Sequence, residues 1–570
     1  MPRTKVTIET ANVDRLTPEI EKSLAHLSKE SIIPRVWQKD WTVWGEGPAE
    51  IANRLGWLTS PWDSADNFRA IRHFVRRTRG KGYRQVLLLG MGGSSLAPLV
   101  LGSAFPTPAG FLDLDILDST DPAAVMAACR RFDPAKTLFI VASKSGTTAE
   151  TCSFFNFFWN RSVASLGEKG AAEHFAAITD PETPLEDLAR RLGFPSFAGD
   201  PEIGGRFSAI STFDLVPAAL KGTRIERIAA AAGKMAERCR ESTDLKANPG
   251  AYLGTVLAVL ASAGHDKATF LLPTRLWAFG LWLEQLIAES TGKKGKGILP
   301  IAGEAVGRPG VYGADRLFIH IREKGSTAAR AIANQLKVAG FPLLTISWPS
   351  LDGLGGQFFL WEFATAVTGH LLGINPFDQP DVESAKKKAK EILSAFRETG
   401  SLPQRPPAIR ESGLSVYSDV PASSARECLR AFLDRARPGD YIAVQAFLPP
   451  GGEMSSALAD LQVRLRDFTR LATTVGYGPR YLHSTGQLHK GDRGNGLFIQ
   501  LTAADKADIP IPDEPGSAVS SVSFGLLKAA QAAGDFEALA SAGRRIIRFH
   551  FEAEVAAGVR TLLSLLPRSI

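Results

Sequence analysis

The chain predicts an α/β fold: two successive domains, each a parallel sheet covered by helices, followed by a C-terminal α/β region. Three observations carry this. Short apolar runs alternate with helical stretches in two blocks. QVLLL (85–89), LDLDILDS (112–119) and KTLFIVAS (136–143) form the first, and KATFLLP (267–273), DRLFIHIR (315–322) and FPLLTISW (341–348) the second. Such alternation indicates parallel strands buried between helices. A Pro/Gly/Ser-rich stretch, GSLPQRPPAIRESG (400–413), then marks a boundary before DYIAVQAF, GLFIQLT and RRIIRFHF. Finally, 570 residues exceed what one core accommodates.

In chain order, residues 1–45 read as a helical lead-in, with Leu16, Ile20, Leu24 and Leu27 at helical spacing. The first domain is assigned to 46–235, the second to 236–400 and the C-terminal region to 401–570. Within the second, Ala251 to Gly264 reads as a buried helix, too short and too interrupted to span a bilayer. Arg275 to Ser290 is apolar on nearly every side, as buried helices are. Gly292 is expected to stop that helix in a left-handed cap, with Lys293, Lys294 and Lys296 at its C-terminus.

Hydrophobic residues make up 44% and charged residues 22%, which argues against extensive disorder. The net charge of +7 invites a nucleic-acid reading, but it is spread among 59 acidic residues without a dense arginine tract or recognised nucleic-acid motif, and it suits small anionic metabolites equally well. Cys129, Cys152, Cys239 and Cys428 are far apart, with no CxxC spacing. Neither a zinc site nor a disulfide framework is expected, and a reducing cytoplasm is. The N-terminus lacks the apolar core of a secretion signal.

Several motifs carry chemistry. GMGGSS (90–95) follows a strand and opens a helix, where backbone NH groups can receive an anion or simply form a tight turn. It partly matches a dinucleotide fingerprint, with Asp118 as the later acid, though Ser95 replaces the third glycine. SKSGTTAET (143–151) offers Ser143, Ser145, Thr147 and Thr148 around Lys144, enough donors for a terminal phosphate, against the reading as a Ser/Thr helix cap. GGRFSAIS (204–211) places Arg206 beside a glycine pair. In the 275–290 helix, Gln285 and Glu289 lie four apart on one face. Glu289 reads either as a solvated helix end screened by lysines or as a partly desolvated general base. NPFDQPDVESAKK (375–387) suggests a turn and a helix from about Pro380, with Gln379 and Lys386 two helical turns apart. YLHSTGQLHKG (481–491) holds His483 and His489 without further metal ligands.

Together and in this order, GMGGSS, SKSGTTAET, GGRFSA, EQLIAES and NPFDQPDVESAKK resemble the glucose-6-phosphate isomerase family, built from two sugar-isomerase (SIS) domains. The resemblance covers about 45 to 400. The region beyond 405 is similar to the isomerase portion of bifunctional transaldolase/glucose-6-phosphate isomerases, without a transaldolase barrel. The resemblance implies reversible aldose–ketose isomerisation of glucose 6-phosphate and fructose 6-phosphate, in glycolysis and gluconeogenesis, through a cis-enediol. It implies no cofactor and no metal, a phosphosugar as the small-molecule partner, a cytoplasmic location and a homodimer. Ser143, Lys144 (through its backbone), Ser145 and Thr148 match the phosphate loop, and Gly93 and Ser94 the sugar contacts. Gln285 and Gln379 match substrate-binding glutamines, Glu289 the base, Arg206 the enediolate-stabilising arginine and Lys386 a lysine assisting ring opening. The ring-opening histidine is assigned to His483, with His489 in reserve. His320, which stands in the interval where the family carries that histidine, falls inside a strand and reads as buried. Two alternatives differ in kind: a non-catalytic phosphosugar-binding SIS regulator, and a dinucleotide-dependent oxidoreductase resting on GMGGSS and Asp118.

Overall fold

The computed structural model describes residues 6–63, 67–401, 405–411, 413–552 and 554–567. The first sheet has five parallel strands, in spatial order Asp113–Leu117, Gln85–Gly90, Thr137–Ala142, Phe175–Thr179 and Ser196–Ala198. Val86 to Gly90 and all of Thr137–Ala142 are buried, as strands covered on both faces must be. The chain reverses its direction of travel between Gln85–Gly90 and Thr137–Ala142. At such a switch point the loops leaving the carboxyl ends diverge and open a crevice. The two loops are GMGGSS and SKSGTTAET.

The second sheet runs Thr7–Ala11, Leu343–Trp348, Arg316–Glu323, Lys267–Leu271 and Leu299–Ile301. All its pairs are parallel except the first, where Thr7 pairs with Ser347. This corrects the helical reading of residues 1–45. The helix Thr17–Lys29 exists, burying Ile20, Leu24 and Leu27, but it follows an edge strand that completes the second sheet. TIETA is short and half-exposed, so no apolar pattern announces it, and its partner is remote in sequence.

The helix Trp277–Thr291 lies at the centre of the molecule, packed against the helices Gly93–Ala104 and Leu354–Leu372. Trp282 meets Phe358 edge-on with ring centroids 4.8 Å apart. Gly292 ends the helix, but at φ −75° it is not left-handed. Its lack of a side chain serves another end. A Cβ there would stand 2.3 Å from Leu488 Cα, so glycine permits the C-terminal region to press against the helix end.

That region forms a six-stranded sheet, in order Ile409–Glu411, Leu414–Tyr417, Arg545–Phe551, Gly496–Ala503, Tyr441–Phe447 and Ala472–Tyr477, the last four mutually parallel. It is not a detached module. Ile509, Ile511, Phe524 and Leu527 share a core with Phe154, Phe155 and Phe158 of the first domain. The helix Phe524–Ser541 also packs along the helix Val382–Thr399. Among the described residues no helix is long and apolar enough to cross a membrane.

Candidate functional site

The switch-point crevice, the end of the Trp277–Thr291 helix and the 478–491 loop converge on one cleft. Two glycines let them approach. Gly93 opens its helix with a virtual Cβ only 2.2 Å from Gly205 O, so any side chain would push the arginine loop away. Gly92 adopts φ +56°, and a Cβ there would lie 3.0 Å from His483 Cβ and 3.1 Å from Gln285 Nε2. Ser94, in the first turn, is half-buried beside them.

Arg206 is the organising cation, 4% exposed. Its Nε donates to Ser290 Oγ at 2.9 Å and its Nη1 to Gln379 Oε1 at 2.8 Å. Nη2 donates to the carbonyls of Pro376 (2.6 Å) and Asp378 (2.8 Å). Nη1 also stands 3.4 Å from Glu289 Oε1. Burial lowers the Arg206 pKa, while the Glu289 and Asp378 charges hold it up. Lys293 works beside it, donating to Asn375 O and to Asp378 Oδ1, both at 2.6 Å. Burial, then the neighbouring Arg206, draw Lys293 down to about 7 against the pull of Asp378. The two cations clamp the 375–379 turn into the cleft.

Glu289 has a side chain 12% exposed, and its Oε2 accepts from Gln285 Nε2 at 3.1 Å. The same Gln285 nitrogen donates to His483 O at 2.8 Å, and Gln285 Oε1 is buried with no partner among the described residues. A buried orphan acceptor is a group a ligand hydroxyl can satisfy.

On the opposite wall, Thr148 stands at the N-cap of the long helix Ala149–Glu173 and makes no side-chain cap bond. The hydroxyls therefore do not serve as a simple cap. Ser143 Oγ donates to Thr148 Oγ1 at 3.0 Å, and Ser145 Oγ accepts from Thr147 N at 3.3 Å. The side chain of Lys144 is turned away, bonded to Asp180 and to Asp200 O, and its carbonyl accepts from Asp180 N at 3.2 Å, so its NH is the backbone group without a partner among the described residues. Hydroxyls and free NH groups at a helix N-terminus suit a phosphate.

His483 completes the cleft. Its Nε2 lies 3.0 Å from Glu150 Oε1, which also accepts from Gln531 Nε2 at 2.7 Å. Burial favours the neutral acid, but His483 and Gln531 outweigh it and hold Glu150 below the usual carboxylate range. An ionised Glu150 accepts only, so Nε2 carries a proton. Nδ1 makes no protein hydrogen bond among the described residues and is left to address a ligand. Behind the loop, Arg480 donates to Asp118 at 2.5 Å, and burial raises Glu284 to about 8 against the opposing Arg480 and Ser484.

A family model for phosphoglucose isomerase matches residues 65–299. Glucose-6-phosphate isomerase of Rubrobacter xylanophilus is 30% identical over 418 residues, spanning 65% of this chain and 94% of the relative. The chain belongs to the phosphoglucose isomerase family. The enzyme of the same name from Carboxydothermus hydrogenoformans is 29% identical over 396 residues, 60% of this chain and 85% of that one. Among solved structures, a hypothetical protein of Thermus thermophilus superposes with TM-score 0.56 at 27% identity, covering 69% of this chain and all of that one. A glucose-6-phosphate isomerase from Chlamydia trachomatis shares the fold, with TM-score 0.57 at 21% identity, over 66% of this chain and 86% of that one.

Of the residues singled out from sequence, Gln285, Glu289, Arg206, Gln379 and His483 share one hydrogen-bonded cleft with the two loops. Lys386 does not join them. It points to solvent, its side chain 54% exposed, and pairs with Glu383 at 2.8 Å. The expectation failed because the helix begins at Val382, not Pro380. Gln379 lies in a turn, so seven residues no longer measure two helical turns. His489 is also excluded. It is buried among Tyr441, Tyr481 and Phe498, where burial first and then Lys490 and Arg544 hold its pKa far below the usual value. His320 is buried in its strand, with Nε2 2.9 Å from Ala328 O. Asp118, the acid of the dinucleotide reading, is occupied by Arg480. Sequence reasoning missed Glu150, Gln531 and Lys293. Glu150 lies inside a motif that was noticed, but a Glu in a helix's first turn reads as ordinary dipole pairing.

Proposed function

We infer that this chain interconverts glucose 6-phosphate and fructose 6-phosphate by proton transfer through a cis-enediol. The observation that carries this is the placement of Glu289, a carboxylate 3.4 Å from a buried arginine and capped by an amide, in a cleft walled by the hydroxyl-rich loop. The reading follows the name shared by the relatives and assigns each group a task. Ser143, Ser145 and Thr148, with the Lys144 backbone, hold the phosphate, so binding energy positions the carbons. Gly93 and Ser94 leave room for the sugar, and Gln285 Oε1 accepts from a hydroxyl.

His483 Nδ1 takes the proton of the anomeric hydroxyl and delivers it to the ring oxygen as the bond between C1 and that oxygen breaks, with Glu150 stabilising the imidazolium formed in between. Glu289 removes the proton from C2 and returns it to C1. Arg206, preorganised by four hydrogen bonds, stabilises the charge developing on oxygen. Gln379 keeps Arg206 in register. Lys386 has no task in this arrangement. No step requires a cofactor. The same reading takes the chain as a cytoplasmic homodimer, which the sedimentation of the purified chain tests for assembly.

The test is a dehydrogenase-coupled assay of fructose 6-phosphate turnover. Glu289→Gln is expected to lower kcat by about 10²–10⁴-fold, as loss of a general base does. Near-normal turnover in that variant refutes the proton-transfer role. Phosphosugar binding without turnover in the unaltered chain would favour the regulator reading instead.

A further inference from the structure

The C-terminal sheet has one conventional face and one that is not. Val416, Ile499, Leu501, Ile547 and Phe549 pack into an apolar core on one side. The other side carries two polar rungs, read directly from strand register. Tyr417, Arg548 and Gln500 are neighbours in one, and Ser415, His550 and Thr502 in the next. A strand buried between layers is normally apolar on both faces. Here the polar rungs do not meet an apolar helix surface tightly. All of their residues but the fully buried Gln500 line a cavity of about 880 Å³, bounded on the far side by the helix Phe524–Ser541 through Ala533 and Phe536.

Arg548 is the centre of this cavity. Its Nε donates to Gln500 Oε1 at 2.6 Å and its Nη2 to Ala532 O at 3.0 Å, both neutral acceptors. Among the described residues no carboxylate oxygen lies within 4 Å of the guanidinium, and Nη1 has no acceptor. The guanidinium carbon sits 4.5 Å from the Phe536 ring centroid, which fixes its plane. The nearby acids are otherwise engaged or outward. Asp505 pairs with Lys528, Asp535 is held by Lys490 and Tyr481, Glu552 accepts from Ser415 Oγ at 3.0 Å, and Glu537 is exposed. Thr502 Oγ1 and His550 Nδ1 meet at 3.0 Å, and burial keeps the imidazole pKa below its usual value, so it presents a neutral donor and acceptor. A half-buried cation without a counter-charge is costly unless an anion completes it.

We propose that this cavity binds a small hydroxylated organic anion, its carboxylate or phosphate taken by Arg548 and its hydroxyls by Thr502, His550 and Ser415. The planar fork of arginine suits either oxyanion. The site is separate from the isomerase cleft and has its own test. The full chain is titrated calorimetrically with gluconate and, separately, with inorganic phosphate, the two probes distinguishing a carboxylate from a phosphate ligand. One of them is expected to bind, at least tenfold more weakly to Arg548→Gln. Ala533→Phe, which fills the cavity without altering a polar group, is expected to weaken it equally. Both variants should keep the kcat and KM of isomerisation. Phosphate held by the Ser143 loop is common to all three proteins and cancels in the comparison. If Arg548→Gln does not fold, the Ala533→Phe comparison decides alone. Absence of binding by both probes, or binding unchanged in the variants, overturns the proposal.

Discussion

Replacing Glu150 by Gln separates ring opening from proton transfer. Glu150 Oε1 accepts from His483 Nε2 at 3.0 Å and from Gln531 Nε2 at 2.7 Å, and the carboxylate is buried. The substitution preserves shape but removes the charge facing the imidazole. A hydrogen bond to a charged group is worth about 1.5–3 kcal/mol. If that amount stabilises the imidazolium during ring opening, kcat/KM on cyclic substrate falls about 10- to 150-fold, at 1.36 kcal/mol per decade. The assay compares two reactions: coupled turnover of fructose 6-phosphate, and solvent deuterium exchange at the carbon beside the carbonyl of an aldose phosphate too short to cyclise. Glu150→Gln should slow the first and spare the second, whereas Glu289→Gln should slow both. Equal loss in both reactions for Glu150→Gln refutes the assignment and makes Glu150 merely structural.

Other outcomes follow from the same geometry. Gly93→Ala places a methyl group against Gly205 O and displaces the Arg206 loop. It should cost about 1–3 kcal/mol of stability by denaturant unfolding and depress kcat as well. Lys386→Ala removes only an exposed i,i+3 pair and should change kcat less than about threefold and stability by less than about 1 kcal/mol. A hundredfold loss would show that the helix start rearranges around substrate. Glu362 is buried, with one oxygen accepting from Ala209 N at 3.4 Å, and burial raises its pKa well above 4.5. A raised carboxyl contributes stability that is complete below its unfolded value and is lost as pH rises through the folded one. Glu362→Gln should therefore raise Tm at pH 8, with the gain shrinking toward pH 4, and a thermal melt series across that range checks it.

The strands singled out from apolar runs all formed: central ones such as Thr137–Ala142, buried on both faces, leave a dense local signature, and one-sided ones such as Arg545–Phe551 leave an alternating one. Glu289 and Gln285 were legible as a pair for a similar reason, since helical spacing places i and i+4 on one face. The edge strand Thr7–Ala11 left no such signature, being half-exposed and paired with residues more than 300 positions away. Lys386 shows the weakness of spacing arguments at a helix start, where a two-residue shift in the boundary changes which side chains share a face.

What the amino-acid order determined by itself was local: which segments are strands or helices, which loops carry donors, and that Glu289 ends a buried helix. Tertiary structure decided everything that depends on meeting. Only the fold sets Gly93 against Gly205 and clamps the 375–379 turn with Arg206 and Lys293. It also separates His483, held by Glu150 in the cleft, from His489, six residues later and sealed in aromatic packing. Glu289 became a candidate base by the same route. Its neighbours 3.4 and 3.1 Å away are an arginine from the remote 204–208 loop and a glutamine one helical turn back. Periodicity can reveal the glutamine. The arginine is a long-range contact, and long-range contacts are set by the packing of whole elements, to which no local pattern refers.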